Sequence, residues 1–215
     1  MSLFAAWPID PSVILPFLLA VSLIELTPGP NMGWLALVSM HQGRLAGLAA
    51  VAGITLGLAV WMVAAAFGLT SVLLVFPWLY QAVRWAGVVF LLWLAWEAWS
   101  GAGKATSGAS HDPEKLRGLF LRGLTGNLLN PKAAVFYVAL LPTFIRPDHG
   151  PALGQALTLG GLHLGVSILV HSLIVLGAAT AGGVMMRRMQ GVWAGRTMAI
   201  GIAGVAIWMA WATRG

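Results

Sequence analysis

The sequence predicts an all-α integral membrane fold: six transmembrane helices forming an inverted repeat of two three-helix halves, with helices 1 and 4 broken. Three observations carry that prediction. The 215 residues are 59% apolar and 8% charged, against roughly 25% charged in an average soluble domain, and mean hydropathy is +0.87. Apolar runs of membrane length recur along the chain. Two of the runs are interrupted at prolines, in Thr27-Pro28-Gly29-Pro30-Asn31 and in Asn127-Leu128-Leu129-Asn130-Pro131-Lys132.

With about 20 residues needed per span, the runs place helices at about 12–40, 44–69, 79–99, 117–145, 152–181 and 193–212. They fill one membrane domain, 1–215: a first half of about 1–99, a tether of about 100–118 and a second half of about 119–215. The first run spans Val13 to Val38 and holds the first break. Proline has no N–H to donate and its ring clashes with the carbonyl four residues back, so the carbonyls of Ile24 and Leu26 are expected to lose their helical partners. Unpaired backbone groups at membrane depth cost several kcal/mol each unless protein or a water-filled cavity satisfies them, so the break is expected to line a transport site. No small-residue cleavage region follows this run, so the first span is expected to be retained.

The second helix opens at Arg44 and carries Gly53-x-x-x-Gly57, which permits close helix packing. Trp78, Tyr80 and Trp99 flank the third, and Trp7, Trp193 and Trp211 lie near other span ends, as an aromatic belt requires. Ser100 to Gly118 is rich in Gly, Ser and Ala and reads as a flexible cytoplasmic tether. The fourth helix holds the second break, where Pro131 strands the Asn127 carbonyl. Thr27-Pro28 and Asn130-Pro131 each put a capping residue before a proline, the start signature of a new helical segment. The fifth helix repeats the glycine pair as Gly161-x-x-x-Gly165.

Each half has an odd number of spans, so a repeated half must insert upside down. With the N-terminus outside, inner loops carry Arg44, Lys104, Lys115, Arg117, Arg122, Arg187, Arg188 and Arg196, while Arg84, Arg146 and Arg214 lie outside. That asymmetry places both termini away from the cytoplasm. Both breaks then fall near the bilayer middle, where two half-helix N-termini would favour a substrate carboxylate.

The sequence has no cysteine, which excludes disulfides and thiolate metal sites. The net charge of +6 is scattered through loops rather than gathered on one face, so nucleic acid is not an expected partner. Ionisable residues at membrane depth are functional candidates by default. Glu25 lies two residues before the first break and Lys132 two after the second, so the two are expected to pair, either as an openable unit or as a static ion pair. His163, Ser167 and His171 recur every four residues as one polar stripe, read either as a proton relay or as histidines satisfied by hydrogen bonds. Arg84, Glu97 and Arg122 are expected to snorkel at span ends. A Ser167 protease is set aside because a serine and a base four apart on one helix should point in parallel. His111 and His149 are loop residues without clustered partners, and no metal role is expected for either.

Thr27-Pro28-Gly29-Pro30-Asn31 followed by Gln42-Gly43-Arg44-x-x-Gly47, and Phe120-x-x-Gly123 followed by Asn127-x-x-Asn130-Pro131-Lys132-Ala133, resemble the LysE-type amino-acid exporter family. The resemblance covers nearly the whole chain, with Glu25 and Glu97 as departures from the family pattern. It implies a six-helix bacterial inner-membrane exporter of amino acids or related small amphoteric metabolites, driven by an ion gradient. The substrate site would comprise Thr27, Pro28, Gly29, Pro30, Asn31, Asn127, Asn130, Pro131 and Lys132, with Glu25, Lys132 and His163 in ion coupling. An amino acid and membrane lipids are the expected partners, and the glycine-rich helices allow a homodimer. Neither an enzyme activity nor a cofactor is expected; divalent-metal export, with His163, His171 and Glu25 as ligands, is the alternative.

Overall fold

The computed structural model describes residues 9–68, 75–101, 112–186 and 192–212. Among the described residues eight α-helices follow in order: α1 Pro11–Leu26, α2 Pro30–Gln42, α3 Arg44–Ala66, α4 Pro77–Ser100, α5 Pro113–Leu128, α6 Pro131–Val135, α7 Ala152–Met186 and α8 Val192–Ala212. A π-helical turn, Phe136–Leu140, and a 3-10 turn, Leu141–Phe144, continue α6.

Three of these helices begin with one device, an acidic or amide cap followed by proline at the first position. Asp10 accepts from the Ser12 amide, Asp112 from the Glu114 amide and Asn130 from the Lys132 amide. Proline suits the first position because the N–H it lacks would have had no helical acceptor. The Ser12 amide also holds the Asp10 carboxyl below the usual carboxylate range. The Asp112 cap corrects one expectation, since residues 113–118 are the first turns of α5 rather than tether. His111 and the glycine-rich segment before it lie outside the described residues.

Among the described residues, Arg44–Ala66, Pro77–Ser100 and Ala152–Gly182 are long and apolar enough to cross a membrane. The α1 and α2 helices together make a fourth such segment, bent by 56° at the break, while Pro131–Phe144 and Gly195–Trp211 are apolar but shorter.

The bundle is tightest where α3 meets α5. A Cβ on Gly53 would strike the Phe120 carbonyl oxygen and one on Gly123 the Ala50 carbonyl oxygen, so only glycine lets these backbones touch. A Cβ on Gly57 would lie 2.8 Å from the Asn127 side chain. The expected counterpart pair does not behave this way: Gly161 and Gly165 on α7 face open space. The second-half contact is made instead by Gly182, whose face meets the Met40 backbone of α2, and by Gly160 against Met62. Spacing alone could not tell which face of a uniformly apolar helix carries the packing.

Phe17, Leu35, Ile54, Leu159 and Tyr137 are fully buried between the helices. Arg84 is buried too, contrary to the snorkelling expectation, and donates to Gln81 and to the Ala210 carbonyl of α8. Arg122 and Glu97 likewise do not act separately, because they form an ion pair of 2.5 Å between α5 and α4.

Candidate functional site

The first break ends α1 at Leu26 and restarts the chain at Pro30. The Thr27 amide is shared between the Leu23 and Ile24 carbonyls at 3.0 and 3.1 Å, and its hydroxyl donates back to Leu23 at 2.7 Å. Thr27 therefore closes α1 instead of capping α2, and the Ile24 carbonyl keeps a partner. Two prolines explain the difference from the second break: with Pro30 at the first helical position, Gly29 in extended backbone (φ −151°) becomes the cap. At the second break the capping expectation holds, since Asn130 caps α6. The Asn127 carbonyl, however, is not stranded: the Asn130 amide takes it up at 3.0 Å.

The two breaks meet. Lys132 reaches across from α6 and its Nζ donates to the Thr27 carbonyl at 2.7 Å. That carbonyl is at the negative end of α1, where no amide follows to satisfy it and where a cation is favoured. Gly29 leaves the space, because a Cβ there would sit 3.3 Å from Lys132 Cδ.

Glu25 faces the other way, into α7. Its Oε1 is 3.0 Å from His163 Nε2 and its Oε2 is 3.7 Å from His171 Nε2. The direct Glu25 to Lys132 pair expected from depth is thus replaced by two histidine contacts, since the two side chains leave their helices on different faces. His163 Nδ1 meets the Tyr137 hydroxyl at 3.1 Å, and the Phe136 ring lies 4.0 Å from the imidazole. Tyr137 was not legible as a site residue; its only signal was a tyrosine in mid-span, whose hydroxyl needs a partner once buried. The π turn is what aims it. Pro142 cannot donate, the Leu141 amide reaches back five residues to the Phe136 carbonyl, and the added residue rotates the face.

Ser167 Oγ lies 3.0 Å from His171 Nδ1. The expectation that the two would point in parallel without converging is corrected: residues four apart on a helix are surface neighbours, and these two meet. A hydrolytic centre still lacks its second half, because the amides around Ser167 are spent inside α7 and form no oxyanion hole.

Between the breaks lies a cleft lined by Glu25, Gly29, Asn31, Asn127, Asn130 and Lys132, together with His163 and His171. Asn127 Oδ1 is buried without a hydrogen-bond partner among the described residues. Of the other expected site residues, Thr27 contributes its carbonyl, Pro30 lines a neighbouring cavity, Pro131 is buried as the first residue of α6, and Pro28 is exposed. The cleft presents an ammonium on one wall and a carboxylate on the other, with amides between. Among the described residues no group of three or more His, Cys, Asp or Glu side chains is arranged to hold a metal ion, and all four imidazole nitrogens of His163 and His171 face protein partners.

The family model described as LysE type translocator matches residues 22–212. The homoserine/homoserine lactone efflux protein of Salmonella typhimurium is 32% identical over 76% of this chain and 77% of its own length. The leucine efflux protein of Klebsiella pneumoniae is 33% identical over 61% of this chain and 62% of its own. The threonine efflux protein of Escherichia coli K12 is 28% identical over 58% and 63%. No solved structure matches the chain.

Proposed function

The chain belongs to the LysE type translocator family, a family of transporters and not of enzymes, and we propose that it exports an amino acid or related small amphoteric metabolite by secondary-active alternating access. Amino-acid efflux is the shared theme of its relatives, and its apolar helices make it a multi-pass membrane protein. The observation that carries the reading is the cleft where the breaks meet, with Lys132 and Glu25 on its walls. A zwitterion offers both complementary charges. Its carboxylate competes with the Thr27 carbonyl for Lys132, and a carboxylate is the stronger acceptor. Thr27, Pro28, Gly29, Pro30, Asn31, Asn127, Asn130, Pro131 and Lys132 form the substrate site in this reading.

Coupling to an ion gradient is assigned to Glu25, Lys132 and His163. The carboxylate and the two imidazoles share a buried hydrogen-bonded cluster that a proton enters or leaves, and losing the Lys132 contact to the substrate alters the charge beside it. The six spans form an inverted repeat of 1–99 and 119–215 in a bacterial inner membrane, with both termini away from the cytoplasm; a homodimer through glycine-bearing faces fits the same scheme. Metal export has no support from the relatives' names or from the site's donors. The test is efflux of a preloaded amino-acid panel from proteoliposomes with an imposed proton gradient: gradient-dependent efflux is expected, and efflux of divalent cations without amino acids overturns the reading.

A further inference from the structure

Five buried side chains form one line: Tyr137, His163, Glu25, His171 and Ser167. Glu25 bridges the two imidazoles, 3.0 Å from His163 Nε2 and 3.7 Å from His171 Nε2. The hydroxyls hold the ends, Tyr137 at 3.1 Å from His163 Nδ1 and Ser167 at 3.0 Å from His171 Nδ1. The imidazoles are chemically alike, but these hydroxyls are not. A neutral His163 donates Nε2–H to the Glu25 carboxylate and accepts the Tyr137 proton at Nδ1, so both partners are satisfied. A second proton on His163 would make Nδ1 a donor and turn the tyrosine into an acceptor. The tyrosine's own proton would then be stranded, because among the described residues its hydroxyl has no other hydrogen-bond partner, and a buried donor left unpaired is costly.

Ser167 escapes that constraint. A helical serine or threonine can turn its proton to the carbonyl four residues back, as Ser39 does on α2 and Thr180 on α7, each at 2.7 Å. Ser167 can therefore donate to a neutral His171 or accept from a charged one. The charges acting on His171 come from Glu25 on α1, Lys132 on α6 and His163 on its own helix. The α2 and α3 helices also pack on α7, but their His41 and Arg44 face Thr197 and Thr180 instead.

We propose that His171 carries the coupling proton, with Ser167 as the positioning residue that accepts its second N–H, while His163 stays a neutral donor to Glu25. This rests on the coupling role proposed for the cluster and divides the labour within it. Charged His171 directs Nε2–H at Glu25 and Nδ1–H at Ser167. Between Glu25 and His171 the proton stays on the imidazole, the stronger base of the two groups. It is taken from water on one side and returned to water on the other, so only an N–H bond is made and broken.

The test is nitrogen-15 NMR of histidine-labelled protein in detergent from about pH 5 to 8, the interval in which imidazoles change charge, with His163→Gln and His171→Gln to assign the signals. His171 is expected to pass from one proton to two as pH falls, and His163 to keep a single proton on Nε2. Ser167→Ala should move the His171 transition about one pH unit to the acid side, a tenfold loss of proton affinity, because a charged imidazole loses the stronger hydrogen bond. Ser167→Thr should restore it. In proteoliposomes preloaded with threonine and leucine, His171→Gln should lose the pH dependence of efflux, whereas His163→Gln, whose amide also donates to Glu25, should keep it. A His163 that titrates beside a neutral His171, a His171 that keeps one proton throughout, or a Ser167→Ala transition at the wild-type pH overturns the assignment. Wild-type efflux that ignores the proton gradient would overturn the parent reading instead, and the NMR titration locates the proton in either case.

Discussion

The Lys132 ammonium donates to the Thr27 carbonyl oxygen at 2.7 Å, so a residue in the first turn after one break closes the helix end at the other. The contact joins positions 105 apart in sequence. It fastens the two breaks at a point where an anionic ligand has reason to displace it.

Lys132→Met is therefore expected to cut amino-acid efflux by about 10- to 100-fold, the range that corresponds to a charge-assisted hydrogen bond of about 1.5–3 kcal/mol. Lys132→Arg should recover part of it. Initial rates in proteoliposomes, with size-exclusion profiles to verify folding, check this. Full activity in Lys132→Met would reduce the contact to a strut.

Glu25 is faced by His163 and His171 from α7, with Lys132 and Tyr137 close by. If this cluster carries the coupling proton, Glu25→Gln should abolish the pH dependence of efflux between about pH 5 and 8, the interval in which imidazoles change charge. The losses in Glu25→Gln and His163→Ala should fall short of additive in the double variant, because both remove one contact. A pH series on the three variants decides; an unchanged profile in Glu25→Gln makes the cluster structural.

Gly53→Val and Gly161→Ala separate packing from pattern. Valine at 53 drives its side chain into the Phe120 carbonyl and should cost about 3 kcal/mol or more, enough to lose most folded protein. Alanine at 161 meets open space and should change stability by no more than about 1 kcal/mol. Thermal melting in detergent gives both numbers.

Reporter fusions test the inverted repeat. A reporter active only in the cytoplasm should work at Ala109 and fail at Gly215, as the eight-to-three division of positive charge requires. The opposite pattern would sink the orientation and the repeat with it.

The sequence by itself marked the apolar runs and the two breaks, because a proline at a first helical position beside a cap or a glycine acts locally, whereas Pro16 alone leaves α1 unbroken. It also marked the cleft, since Gly29, Asn31, Asn127, Asn130 and Lys132 all line it. Only the tertiary structure decided the partners. Glu25 and Lys132 matched in depth, but which face each leaves depends on helix rotation, and rotation is set by packing such as Gly53 on Phe120. So Lys132 went to a carbonyl, Glu25 to His163 at a separation of 138 residues, and Arg122 to Glu97. Tyr137 entered the site because Pro142 forces a π turn whose rotation no apolar pattern records. Side-chain chemistry states what each buried polar group requires; the rotation of one helix against another decides which group supplies it.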